Sequence, residues 1–342
     1  MTLVEVMVAA TIMTAVMAAA VAVIRTGVRV ATLNEQTVDT NDAARVAGDR
    51  MVFDLRSAGT MGGVYVTNAA GPPILINPIF SLNSAVRPNT DQVWMIVPSR
   101  TLMQADCTRA GSAAVLTQAS VSGQPLQVNC TAQFAGAKTL LVTNFTRAAL
   151  ISVTAMTATT ISYNEATVPG FSNDPSKGAF QRGDYIAPVN LVRYGIAAND
   201  IAGQPDVLKR EVFDLDFATV AVATPFGTAA AVRGEIFNNI EDLQVAWGSG
   251  VAPALTYASA HGSAYLGGNG GNFGTQNQVP VSVRLNLVGR TPRAIRDEAG
   301  ELMRYGPIDV EDHAWGVVPF DGFRRTLYRR RVELQNMGAL SL

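Results

Sequence analysis

MTLVEVMVAATIMTAVMAAAVAVI, residues 1–24, is the stretch on which the fold turns. It carries one charged side chain, Glu5, before Arg25 and Arg29 bring polar sequence back. A helix needs about 20 consecutive apolar residues to cross a bilayer, so the run is long enough to do so. It lacks the basic n-region and small-residue cleavage site of a secretory signal, and the expectation is that it belongs to the mature protein. Ala, Val, Met and Thr occupy every side of the run, as in a helix surrounded by lipid or protein.

No proline occurs before Pro72, so nothing forces a break after residue 24. Val30, Leu33, Thr37, Ala44, Ala47, Met51 and Leu55 recur at spacings of three, four and seven. Asn34, Glu35, Asp42, Arg45, Asp49 and Arg56 fall largely elsewhere, which is the pattern of an amphipathic helix. The helix is expected to end near Ala58, where Gly59 and the Gly62-Gly63 pair supply a stop. At 1.5 Å per residue it would be about 85 Å long, so half must lie outside any membrane. Gly27 and Gly48 mark a bend or local melting, or else let a neighbouring helix approach closely.

From Gly71, the prolines in Gly71-Pro72-Pro73, Asn77-Pro78 and Arg87-Pro88 predict loop and turn. Strands are predicted at Gln92–Val97, Thr139–Thr143, Thr159–Tyr163, Asp184–Tyr194, Val207–Phe213, Val279–Val288 and Arg325–Gln335. Glu235–Trp247 reads as a short helix running into a strand, and Arg293–Arg304 as another short helix. Gly267 to Asn272 reads as a mobile surface loop without the carboxylates of a calcium loop. The expected architecture is α+β, a long N-terminal hydrophobic α-helix followed by a β-sheet-rich globular head. The helix is expected over residues 1–58, apolar over 1–24 and amphipathic over 25–58, and the head over 59–342.

Among 342 residues with 48% apolar side chains, the net charge of −1 gives no basic field, and no nucleic-acid partner is expected. Two histidines, His261 and His313, are too few for a multi-histidine metal site or a HExxH motif. Asp312-His313 has no serine in a nucleophile-elbow motif to complete a triad, and no GxGxxG or Walker A sequence is present. Catalysis and cofactors are therefore not expected. Cys107 and Cys130 lack zinc-site spacing. A disulfide between them, worth about 3 kcal/mol through the unfolded state, is the expectation, with two reduced buried thiols as the alternative. The tail Arg324-Arg325-Thr326-Leu327-Tyr328-Arg329-Arg330-Arg331 suits a partly exposed strand, with some arginines in ion pairs between subunits.

Met1-Thr2-Leu3-Val4-Glu5-Val6-Met7-Val8-Ala9 resembles the mature N-terminus of type IV pilins and pseudopilins. In that family a leader peptidase cuts after glycine, a methyltransferase N-methylates the new first residue, and glutamate at the fifth position is the signature. The usual first residue is phenylalanine, where this chain has Met1. Asp49 to Gly59, the segments around Tyr194 and Arg210-Glu211, Ile240 to Gly248, Val281 to Arg290 and Arg329 to Asn336 are similar to PilW-type pilins, in that order.

The resemblance implies a homo-oligomeric helical filament, held in the inner membrane before assembly and displayed outside a bacterium afterwards, with other pilins as further partners. It makes Met1 the methylated residue and Met1, Thr2, Leu3 and Glu5 the assembly end. An unpaired carboxylate within an apolar helix costs several kcal/mol, so Glu5 calls for a cation. The family supplies the α-ammonium of a neighbouring subunit's Met1. The plainer alternative places Glu5 at the membrane–water interface of a simple anchor. A minor tip or priming pilin, a secretion pseudopilin and a membrane-anchored periplasmic binding module remain competing roles.

Overall fold

The computed structural model describes residues 2–59 and, in the head, 63–68, 71–76, 79–83, 90–98, 107–108, 113–121, 124–134, 136–137, 139–144, 147–163, 180–199, 206–214, 233–249, 256–258, 281–296, 301–305, 308, 310 and 321–334. α1 (Leu3–Gly59) is one uninterrupted 57-residue helix, continuous through Gly27 and Gly48.

In the head, β1 (Gly63–Asn68) and β2 (Gly71–Ile76) pair antiparallel, as do β3 (Ile79–Asn83) and β4 (Asp91–Pro98). β5 (Ala114–Val115), β6 (Leu126–Gln127), β7 (Thr139–Thr143), β8 (Arg147–Met156) and β9 (Thr160–Tyr163) follow. β10 (Tyr185–Ala197), β11 (Val207–Asp214) and β12 (Arg233–Phe237) complete a large sheet, in which β1 and β8 are parallel. β13 (Ile240–Ser249), β14 (Thr256–Ala258), β15 (Ser282–Arg290) and β16 (Arg325–Glu333) form a four-stranded antiparallel sheet in the order β14-β13-β15-β16.

The long β10 joins two cores. Tyr185 to Pro188 pair with β7, beside a core built on Leu126, Phe134, Leu140, Ile151 and Ile161. From Val189 onward the strand pairs with β4, and from Asn190 also with β11. There Val192, Tyr194 and Ile196 join Met51 and Leu55 of α1, with Leu285 and Leu287 of β15, in the larger core. α1 thus packs on β15 and β16 of the small sheet and on β4 of the large one.

The helix periodicity places its buried face correctly from Ala44 onward: Ala44, Ala47, Met51 and Leu55 are all buried. Val30, which shares the spacing, stays exposed because the head does not reach it. Gly48 is a point of close approach, although the neighbour is a strand side chain. A Cβ there would lie 2.2 Å from the Tyr328 ring of β16. On β15, a Cβ at Gly289 would lie 2.7 Å from Thr40 Cγ2 of the helix.

Each of the predicted strands has a counterpart in β4, β7, β9, β10, β11, β15 and β16. Three expectations are overturned. Part of the region read as loop and turn forms β2 and β3; β2 ends the path of its sheet, and Pro72 and Pro73 fall at the register shift opposite Val66 and Asn68, an edge and bulge position where proline is tolerated. Glu235–Trp247 contains no helix, since Asn239, with φ of 63°, turns the chain from β12 in one sheet to β13 in the other. Arg293–Arg304 is not helical at its described positions, where Arg296 and Leu302 form an isolated bridge. The Gly267–Asn272 loop lies outside the described residues.

Gly48→Ala should destabilise the seated helix by about 1–3 kcal/mol through overpacking against Tyr328. Gly27→Ala, whose Cβ meets nothing within 4 Å, should be neutral or up to about 1 kcal/mol stabilising. Denaturation of both variants in detergent, followed by tryptophan fluorescence, checks the contrast.

Candidate assembly surface

α1 is one helix with two environments. No residue from Leu3 to Asp39 is buried within the chain, and Thr40 is the first that is. Fourteen large apolar side chains between Leu3 and Val30 are each at least 49% exposed. At about 1.5 kcal/mol for each side chain left in water, the penalty is on the order of 20 kcal/mol, more than the ~5–15 kcal/mol net stability of a typical domain. The surface therefore needs cover from outside the chain. Its polar groups are already internally satisfied: the hydroxyls of Thr11, Thr26 and Thr32 donate to the carbonyls of Met7, Ala22 and Val28. Among the described residues, α1 is the one helix long and apolar enough to cross a membrane.

The tip of this surface is chemically distinct. Thr2 N–H donates to Glu5 Oε2 at 2.8 Å, and Glu5 N–H makes a longer, 3.4 Å contact with Thr2 Oγ1. This is a capping box, in which two end-of-helix donors are satisfied reciprocally. Thr2-Leu3-Val4-Glu5 has the T-x-x-E spacing that signals it. A carboxylate in the first turn is also favoured by the helix dipole. Glu5 thus has a partner inside its own chain, while its remaining lone pairs stay available to a cation. Met1 lies outside the described residues.

The direction in which the exposed part projects is fixed by a polar clamp on the buried part. Asp54 is 1% exposed. Its Oδ2 accepts from Tyr194 Oη of β10 at 2.7 Å and from Arg210 Nε of β11 at 2.8 Å. Arg210 Nη1 reaches Glu235 Oε1 of β12 at 3.0 Å, and Arg50 Nη2 approaches the same oxygen at 3.4 Å. Burial pushes the Tyr194 phenol well above its ordinary value, and the Asp54 carboxylate adds to the rise. Desolvation opposes the Arg210 charge, but Asp54, Tyr194 and Glu235 together hold its pKa raised.

A second buried network joins β13 to β16. Arg325 bridges Glu241 and Asp321, and Arg290 Nη1 lies 3.4 Å from Glu241 Oε2. Burial raises the Glu241 carboxyl despite these cations. At Asp321 burial also pushes upward, but hydrogen bonds from Arg325 and the Phe323 N–H outweigh it and leave the group lowered. Arg330 Nη1 meets Asp49 Oδ1 of α1 at 2.6 Å, and Arg329 Nε donates to Asn286 at 2.7 Å. These two tail arginines are engaged within the chain.

Cys107 and Cys130 are joined as a disulfide with a Cα–Cα distance of 5.7 Å, and Asn129 Nδ2 approaches Cys107 Sγ at 3.5 Å. His261 and His313 lie outside the described residues. Among the described residues no group of three or more His, Cys, Asp or Glu side chains converges to hold a metal ion.

The arrangement defines a class: an antiparallel β-rich head that grips the last third of a long helix and presents the apolar N-terminal part for burial by something else. No protein-family model matches the chain, and no curated protein matches it. Among solved structures it is similar to a type IV-like pilin from Thermus thermophilus, at 11% identity over 87% of this chain and 96% of that one. The TM-score is 0.34, too low to carry an argument by itself.

Asp54→Ala should cost about 2–4 kcal/mol, because it leaves Arg210 Nε and the Tyr194 hydroxyl buried without their acceptor while Glu235 still pairs with Arg210. Tyr194 adds a pH dependence. Its folded pKa is raised above the unfolded value of about 10, so its contribution is complete below pH ~10 and is lost as pH rises through the folded value. Denaturation midpoints across alkaline pH should fall for the unmodified chain and fall less for Tyr194→Phe.

Proposed function

We propose that the chain is a structural subunit of an extracellular, type IV pilus-like helical filament. It is processed and N-methylated at Met1, held in the inner membrane by residues 1–24, then withdrawn and packed through α1 against copies of itself and other pilins. The observation that carries this reading is the division of α1. Residues 40–58 are anchored in the head by apolar packing and the Asp54 clamp, while the apolar residues from Leu3 to Val30 have no cover within the chain.

A membrane covers that surface before assembly and neighbouring helices cover it afterwards, so one segment serves both states. Heads that stay outside while helices bundle give a heterologous, non-closing contact, which grows a fibre. Glu5 gives the bundle a register: one oxygen is engaged by Thr2, and its remaining lone pairs accept the ammonium of a neighbour's Met1. The resemblance of residues 1–9 and of the later segments to PilW-type pilins supports the same reading. The work assigned to the chain is mechanical, and no residue is given a catalytic role.

Shearing of filaments from cells, with quantitative mass spectrometry of the released material, tests this. The chain should appear in that fraction with a methylated Met1. A trace beside a dominant pilin would make it a minor subunit, and retention in the membrane fraction would make it an anchored module. Glu5→Ala should leave processing intact and lower the filament yield at least about tenfold, the equivalent of one charge-assisted contact per subunit. An unchanged yield would remove Glu5 from assembly and leave it as a helix cap.

A further inference from the structure

We infer that the outward face of α1 between Glu35 and Phe53 is a docking face for a second copy of this chain, and that Arg25 and Arg29 of that copy set its height by pairing with Glu35, Asp39 and Asp42. The inference rests on the filament reading and adds to it a specific contact.

At 3.6 residues per turn, Val28, Glu35, Asp39, Asp42, Val46 and Phe53 fall within an arc of about 60°, on the side of the helix facing away from the head. Val28, Val46 and Phe53 are 62%, 59% and 61% exposed, which extends the apolar character of residues 3–30 along this stripe. Glu35, Asp39 and Asp42 are exposed and lie among them. Among the described residues these acids have no ion pair, and neither do Arg25 and Arg29. Elsewhere the chain joins its arginines to carboxylates, as at Asp54, Glu211 and Glu241.

Copies drawn from one membrane share an orientation. If two lie level, arginines meet arginines and carboxylates meet carboxylates, which is unfavourable. A displacement of one copy toward the other's head by about 12 residues, or about 18 Å, puts the arginine pair opposite the acidic group. The two groups lie about a quarter-turn apart around the helix, so different faces of the two copies meet, as a heterologous contact requires. Pairing Glu5 with a neighbour's Met1 shifts a copy in the same direction by about 6 Å. A helical array holds neighbours at several heights, so both contacts fit within one assembly.

The test uses the full chain in cells, with sheared filaments quantified for the unmodified protein, for Arg25→Glu with Arg29→Glu, for Glu35→Arg with Asp39→Arg and Asp42→Arg, and for all five substitutions combined. Each partial reversal should lower the yield about tenfold, as several exposed pairs per contact turn repulsive, and the combined reversal should restore most of it. Partial reversals without effect, or a combined reversal no better than either, overturn the inference while leaving the filament reading intact. Loss of the arginine variant from the membrane, unrelieved by the acid reversal, assigns those arginines to lipid headgroups and also overturns it. Absence of the unmodified chain from sheared material removes the filament reading itself.

Discussion

The apolar surface of residues 3–30 is the constraint to which the rest of the molecule answers. A helix hydrophobic on all sides has no stable state in water, and this head makes no attempt to cover it. The cover must be lipid or protein from other molecules. Threonine hydroxyls bonded back to helix carbonyls let the segment move between those environments without an unsatisfied polar group. The capping box does the same at the tip, where open N–H groups would otherwise meet an apolar medium.

A segment used in this way has to be held rigidly by the other end of its helix. Small residues bring the helix and the four-stranded sheet close, through Gly48 under Tyr328 and Gly289 against Thr40. The Asp54, Tyr194 and Arg210 cluster then ties the helix to two strands of the large sheet. Buried ion pairs contribute little net stability compared with apolar packing, but a mismatched seating that breaks one is strongly disfavoured. The cluster therefore selects one orientation of α1 on the head.

The helix was legible in the sequence because two local signals agree: the 3.6-residue spacing of Ala44, Ala47, Met51 and Leu55, and the glycines after Ala58. Seven strands rich in Val, Ile, Leu, Thr and Tyr were legible for the same local reason, whereas the prolines around Ile74-Leu75-Ile76 and Ile79 hid β2 and β3. β8 was not legible either, because the alanines in Arg147–Met156 carry little strand preference and its pairing with β7 and β9 is what makes it a strand. The turn at Asn239 was also hidden, since Glu235 to Trp247 reads locally as a helix entering a strand and the two flanking strands belong to different sheets. Asp54 looks like any solvated helix charge until partners 140 and 156 residues away arrive. The capping box was written in four residues, T-x-x-E, yet reading Glu5 as an isolated carboxylate in apolar surroundings passes over it. At the candidate surface, then, the exposed apolar run could be read directly, and the clamp that aims it could not.

A helical reconstruction of sheared material by electron cryomicroscopy measures the central claim most directly, since it shows what lies against residues 3–30. The account predicts parallel copies of α1 bundled along the filament axis, with their apolar halves in mutual contact and the β-rich heads outside. Filaments built without this helix at their centre, or copies of the chain found only singly with residues 3–30 in lipid, would contradict it.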